Sequence, residues 1–245
     1  MLNRALEPEV MDAPTEAIAY DRMDHAAVNR QLVDDLLAVA AGGDWSGPLL
    51  DLGTGTAQIP IVLCRQVPEA RLTAVDLSPA MLDLARQNIA RAEYQDRIAV
   101  EQIDAKRLPF DDGRFTVVIS NSLVHHVADP LPVLAEAARV AAAGGLLFFR
   151  DLLRPPDDAA VKRLVRQYAG DADPAQRKMF DDSLRAALDL YEIRELVRQT
   201  GFDPKTVSTT SDRHWTWTAR CRSELSQSSA RTQPNEFRST SADDT

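Results

Sequence analysis

Apolar runs suited to buried strands alternate along this chain with apolar residues spaced for one face of a helix. Between Asp24 and Ala41, residues Val28, Leu32, Leu36 and Ala40 recur every four positions, the stripe of an amphipathic helix. Gly42, Gly43 and Gly47 are expected to stop it, and the apolar run 48–52 suits a strand buried on both faces. A helix over 58–67 tolerates Pro60 in its first turn, where a missing N–H costs little. The unit then repeats, with a strand over 71–75 and a helix opening at Ser78-Pro79 whose buried stripe is Leu82, Ala85 and Ile89. Strands are expected over 98–103 and, after the Asp112-Gly113 turn, over 115–120. A helix over 129–142 should end at Gly144-Gly145, ahead of a strand over 146–149.

From Pro155-Pro156 the pattern loosens into helices near 157–168, 174–188 and 191–200, the last closed by Gly201. Two β-rich runs follow, 204–210 and 214–219, and the short link Ser211-Asp212-Arg213 makes them a hairpin with an antiparallel last strand. Strands alternating with helices predict an α/β fold, a doubly wound and mostly parallel sheet covered on both faces. The expected division is an N-terminal lid and helix over 1–45, a main domain over 46–222, and a flexible polar tail over 223–245.

Charge narrows the partners. The 245 residues carry 37 Asp plus Glu against 28 Lys plus Arg, a net charge of −9, and no basic patch for a phosphate backbone is visible. The two cysteines, Cys64 and Cys221, make neither a disulfide framework nor a Cys-x-x-Cys pair. Met1 to Glu9 lacks the order of a signal peptide, and the apolar stretch 131–149 is broken by Glu136 and Arg139, so no membrane span and a cytoplasmic location are expected.

The most informative segment is Asp51-Leu-Gly-Thr-Gly-Thr-Ala57, directly between the first strand and a helix. Gly53 and Gly55 permit a tight turn and close approach of a ligand to the backbone. Asp76, about twenty residues on at the end of the second strand, is placed to take two ribose hydroxyls. A dinucleotide site would want G-x-G-x-x-G, but the sixth position is Gln58, and Asp51 would repel a pyrophosphate. Asp51 suits a cationic, amino-acid-bearing cofactor instead.

These residues, with Val75–Ser78, Asp104-Ala105 followed by Leu108-Pro109-Phe110, Ser120–Pro130, and Arg139-Val leading to Gly144-Gly145-Leu, resemble the ordered motifs of class I S-adenosylmethionine-dependent methyltransferases. The likeness covers roughly Tyr20 to Arg220 and is to the small-molecule type, the ubiquinone/menaquinone-methyltransferase-like group. It implies a seven-stranded Rossmann-like sheet with S-adenosyl-L-methionine as cofactor. Gly53 and Gly55 would border the methionine part, Asp76 the ribose, Asp104 the adenine, and Asn121 would lie under the sulfonium. Tyr20, Asp51, Thr54, Gln58, Leu77, Ala105 and Ser122 complete the implied cofactor set. The third glycine of the first motif is replaced by Ala57.

In a parallel sheet, ligands bind beyond the carboxyl ends of the strands, and all four histidines map to that edge. His126 or His25 is the expected general base, with Asp151 holding the imidazole. His125 and His214 are candidate substrate contacts. Arg150, Arg154 and Arg213 either clamp an anionic group on the substrate or pair with Asp151, Asp157 and Asp212. The histidine spacings match no zinc pattern, so no metal is expected. The leading function is methyl transfer to a small-molecule acceptor, with oligomeric state left open. Two alternatives stay beside it, an enzyme that carboxylates the cofactor, which an arginine such as Arg150 near the sulfonium would favour, and a non-catalytic regulatory or scaffold subunit.

Overall fold

The computed structural model describes residues 2–10, 13–40 and 45–221, so the helix stop at Gly42-Gly43 and the 223–245 tail lie outside the described residues. Helices α1 (Pro14–Asp21) and α2 (Ala26–Val39) precede β1 (Pro48–Leu52), α3 (Gln58–Gln66), β2 (Arg71–Asp76), α4 (Pro79–Arg91), β3 (Ile98–Gln102) and β4 (Phe115–Asn121). After a 3-10 turn at Val124–His126 come α5 (Leu131–Val140), β5 (Ala141–Leu152), α6 (Asp158–Ala169), α7 (Pro174–Ala186), α8 (Leu190–Gln199), β6 (Val207–Thr209) and β7 (His214–Arg220).

The seven strands form one sheet in the order β3-β2-β1-β4-β5-β7-β6. The first five are parallel, while β7 runs antiparallel to both β5 and β6, as the hairpin pattern predicts. Because successive strand side chains point to opposite faces, Leu49 and Phe148 pack with Leu32, Leu36 and Ile61 on the α2–α4 side. Leu50 and Phe149 pack with Val133, Ile193 and Trp217 on the α5–α8 side. Each such side chain, fully buried, contributes about 1.5–3 kcal/mol relative to exposure. The chain turns to opposite sides of the sheet after β1 and after β4, which are neighbours, and this opens a crevice at their carboxyl ends.

Local caps set the helix starts. The Ser78 side chain accepts from Met81 N at the head of α4, and Asp157, Asp173 and Asp189 cap α6, α7 and α8. The helix expected over 129–142 is shorter, and the chain is already in β5 at Ala141, which pairs with Phe115. Gly144 and Gly145 therefore lie inside an irregular strand and are not a helix cap. A Cβ on Gly145 would sit 2.8 Å from Ala142 O and 3.1 Å from Phe115 O, so the glycine serves a close backbone approach at a register shift. The strand expected over 204–210 begins with a 3-10 turn, Pro204–Thr206, and only Val207–Thr209 pairs.

The N-terminal segment, polar and without periodicity, is held as a strap. Arg4 donates through Nε to Ala186 O and through its two terminal nitrogens to Ala128 O, His125 O and Val127 O. Backbone hydrogen bonds from Leu2 to Pro156 and from Ala5 to Arg185 run beside it. No helix among the described residues is long and apolar enough to cross a membrane.

Candidate functional site

A cavity of about 610 Å³ occupies the carboxyl edge of the sheet. At one end it is floored by the turn after β1, where Gly53, Gly55 and Ala57 all have positive φ (67°, 54° and 62°). A Cβ on Gly53 would meet Leu123 at 2.9 Å, whereas one on Gly55 would approach only Tyr20, at 4.0 Å. Asp76 closes β2, with Oδ2 accepting from Gly55 N at 2.8 Å and Oδ1 from Ser78 N at 2.9 Å. Burial raises the Asp76 pKa despite these donors. Asp51 lies beneath the turn, 2% exposed, and burial pushes its carboxyl up to about 7. Its Oδ2 and the hydroxyls of Thr54 and Thr56 are buried with no hydrogen-bond partner.

Leu77, Ala105, Asn121 and Ser122 also line this end. Asp104 lines it with Oδ1 accepting from Lys106 N at 2.9 Å, and Lys106 in turn pairs with Glu9 of the strap. Gln58 lines the cavity and braces its cover, because Gln58 Nε2 and Asn88 Nδ2 both donate to Asp21 at the end of α1. Tyr20, on the same helix, has its hydroxyl pKa raised by burial and by Asp76.

All four histidines line the cavity, as their mapping to one sheet edge predicts. His25 stacks 5.0 Å from Tyr20, its Nε2 is buried and unpartnered, and burial lowers its pKa. His214 pairs through Nδ1 with Ser211 Oγ at 2.9 Å, and burial beside Arg213 takes its pKa down to about 4. His126 is taken down to about 3 by burial and by His125, whose ring centroid is 4.1 Å away.

Asp151 is bonded to neither of the two histidines for which it was expected. It sits fully below the cavity and accepts Nδ1–H of His125 at 2.5 Å, together with backbone N–H groups of Val124 and Leu152, both at 2.6 Å. Burial would lower the His125 pKa, but the Asp151 charge outweighs it and holds the imidazole above its ordinary value.

Arg150 and Arg154 are not among the residues lining the cavity. The strand pleat turns Arg150 to the Phe148 face, where it bonds Asp35 of α2 at 2.7 Å and Thr216 Oγ1 at 3.0 Å, not Asp151. Arg154, past the strand end, reaches Ala187 O, Asp189 and Glu192, not Asp157. Arg213 does line the cavity; it stacks 3.3 Å over the Tyr168 ring and lies 3.6 Å from Asp212.

The residue that sequence reasoning passed over is Glu7. The strap carries its carboxylate to within 3.2 Å of His126 Nδ1 and 3.4 Å of His125 Nε2, and Ser183 Oγ donates to it from α7. No local pattern marks Glu7, since long-range contacts of the strap bring it there, among them the Arg4 anchor over the distant His125–Ala128 carbonyls. The cavity walls contributed by Tyr168, Met179 and Phe180 were likewise hidden in helices that read as generic.

The sheet order and the cleft at its β1–β4 switch point define a Rossmann-like α/β domain. A family model described as "Methyltransferase domain" matches residues 50–149. The chain is 31% identical over 165 residues to demethylmenaquinone methyltransferase of Deinococcus radiodurans, covering 63% of this chain and 67% of that protein. It is 28% identical over 163 residues to 27-O-demethylrifamycin SV methyltransferase of Amycolatopsis mediterranei, covering 66% and 56%. A SAM-dependent methyltransferase from Aquifex aeolicus shares the fold with a TM-score of 0.62 at 16% identity, over 85% of this chain and 98% of that one. The chain belongs to the class I S-adenosylmethionine-dependent methyltransferase family, which makes S-adenosylmethionine its cofactor. It spans about half to two thirds of the length of the first curated relatives it matches.

Proposed function

We propose that this chain transfers a methyl group from S-adenosyl-L-methionine to a small-molecule acceptor held in the same cavity. The observation that carries this reading is the continuity of that space from the Gly53–Gly55 turn, Asp76 and Asp104 to the four histidines. Its volume is that of an ordinary ligand site.

The residues present fit the cofactor. Asp51 is a buried acid with an unpartnered oxygen, which suits a cationic amino-acid group. Asp76 fixes the glycine turn through Oδ2, which accepts from Gly55 N, while Oδ1 accepts from Ser78 N, and the remaining lone pairs can take ribose hydroxyls. Asp104 and Ala105 would border the adenine, and Asn121, Ser122 and Thr54 the region between. When bound, the cofactor supplies an activated methyl group on a sulfonium centre.

What remains for the chain is to bind, orient and exclude water. Helix α1, braced by Gln58 and Asn88, closes Tyr20 over the turn. His25 lines the cavity with an unpartnered Nε2 and a pKa that burial lowers, and we assign it to orient an acceptor hydroxyl or take its proton. Holding the acceptor in line at about 3 Å supplies much of the acceleration. Apolar Met179 and Phe180 line the same cavity as Arg213 and His214, which suits an organic acceptor with one polar end. An arginine near the sulfonium would favour the cofactor-carboxylating alternative, but Arg150 is engaged with Asp35 and Thr216. In this reading residues 46–222 form the catalytic domain and residues 1–45 an N-terminal lid and helix.

Incubation with methyl-labelled cofactor and a metabolite extract, followed by mass spectrometry, should yield a labelled small molecule. Absence of cofactor binding by calorimetry would overturn the proposal.

A further inference from the structure

Glu7, His125 and His126 each offer one ligand atom in a single cluster. Glu7 Oε1, His125 Nε2 and His126 Nδ1 all lie within 4.8 Å of one another. The two contacts to Glu7 are 3.2 and 3.4 Å, longer than a charge-assisted hydrogen bond of about 2.8 Å. They match the edge of a tetrahedron built on metal–ligand bonds of roughly 2.0–2.1 Å, which is about 3.3 Å.

The surroundings are organised as metal sites usually are. His125 gives its Nδ1–H to Asp151, which leaves Nε2, 3.4 Å from Glu7, as the nitrogen a metal would take in exchange for a proton. Asp151 is held in turn by backbone N–H groups of Val124 and Leu152. Ser183 orients the Glu7 carboxylate, and four hydrogen bonds from Arg4 hold the strap that delivers it. Glu7 and Asp151 bring two negative charges to the cluster, against the one positive charge of Arg4 beside it. His126 and Glu7 keep 18% and 12% of their side-chain surface exposed, so an ion has a path in.

We propose that Glu7, His125 and His126 form a binding site for a divalent transition ion of the zinc type, with its fourth position open to the cavity. Two imidazoles and a carboxylate are the donor set of open, three-ligand zinc sites. Such a set disfavours magnesium, which prefers oxygen ligands and retained waters. His125, His126 and Ser183 all line the cavity, so an oxygen of a cavity ligand can complete the shell. That last step rests on the methyl-transfer reading; the ion site itself does not.

The test is calorimetric titration of tag-free, chelator-treated protein with Zn²⁺, and optical titration with Co²⁺, both without cofactor or acceptor. One ion per chain is expected, with the intense visible bands of four-coordinate cobalt, and no response to Mg²⁺. Glu7→Gln and His126→Ala should each weaken binding at least tenfold while circular dichroism and melting confirm the fold. Asp151→Asn, if it folds, should weaken it about 10- to 100-fold through the ligand it orients. Failure of the unaltered protein to bind stoichiometrically, or full affinity in either Glu7→Gln or His126→Ala, overturns the site. Because no turnover is read, that failure is separable from failure of the methyl-transfer reading.

Discussion

The carboxylate of Asp76 accepts the backbone N–H of Gly55 at 2.8 Å, so the acid ending β2 also sets the turn that follows β1. Its other oxygen takes Ser78 N at 2.9 Å, so each oxygen already accepts a backbone N–H. An amide cannot replace them, because one oxygen becomes an NH₂ facing a backbone donor. Asp76→Asn should therefore destabilise the fold by about 1–3 kcal/mol in urea unfolding, as a buried donor loses its partner. Cofactor affinity should fall with it, and an unchanged calorimetric affinity would remove Asp76 from the proposed site.

Asp51 makes stability and affinity pull in opposite directions. Burial lifts its pKa from 3.8 to about 7, so folding favours the protonated carboxyl. Its contribution to stability is complete below pH 3.8 and is lost as pH rises through about 7. Every tenfold gain in proton affinity on folding is worth about 1.4 kcal/mol. Asp51→Asn should flatten the fall in ligand-free melting temperature across that window and raise stability at pH 8. A cationic cofactor needs the ionised form, so affinity in the unaltered protein should rise between pH 6 and 8, and the asparagine variant should lose both that rise and roughly tenfold in affinity at pH 8. Parallel pH profiles for the two proteins would contradict the assignment.

The two glycines of the β1 turn should respond differently to alanine. At Gly53 the positive φ and the 2.9 Å approach of Leu123 combine backbone strain with overpacking. Gly53→Ala should cost about 2–4 kcal/mol. Gly55 has a similar φ but only Tyr20 nearby, at 4.0 Å, and Gly55→Ala should cost about 1 kcal/mol. The ordering, read from denaturant midpoints at constant slope, is the measurement that counts.

Local chemistry is what the sequence displayed well. The pattern at β1, the Ser78 cap and the hairpin around Ser211–Arg213 each depend on a few neighbouring residues, and each was readable. The family motifs placed Gly53, Asp76 and Asp104 in the cavity for the same reason. Glycine is where local reading was ambiguous. Gly144-Gly145 suits a helix end and a strand irregularity equally, and only the pairing of Ala141 with Phe115 decides between them. Long-range partners were the least visible. Glu7 meets His125 and His126 through a strap with no periodicity, and Arg150 meets Asp35 across 115 positions of chain.

That last pair gives a prediction about a residue first expected to touch ligand. Arg150 is 7% exposed, stacks 5.6 Å from the Phe148 ring and bonds Asp35, whose side chain keeps 39% of its surface exposed. Removing the guanidinium leaves Asp35 able to turn to water, so the cost is less than for a fully enclosed pair. Arg150→Met, which keeps much of the apolar stem, should destabilise by about 1–2 kcal/mol through the lost charge-assisted hydrogen bonds. Because the side chain is outside the cavity, KM for cofactor and for acceptor should stay within about twofold, against the tenfold that each 1.4 kcal/mol of lost contact would give. A large rise in KM with unchanged stability would put Arg150 back in contact with ligand.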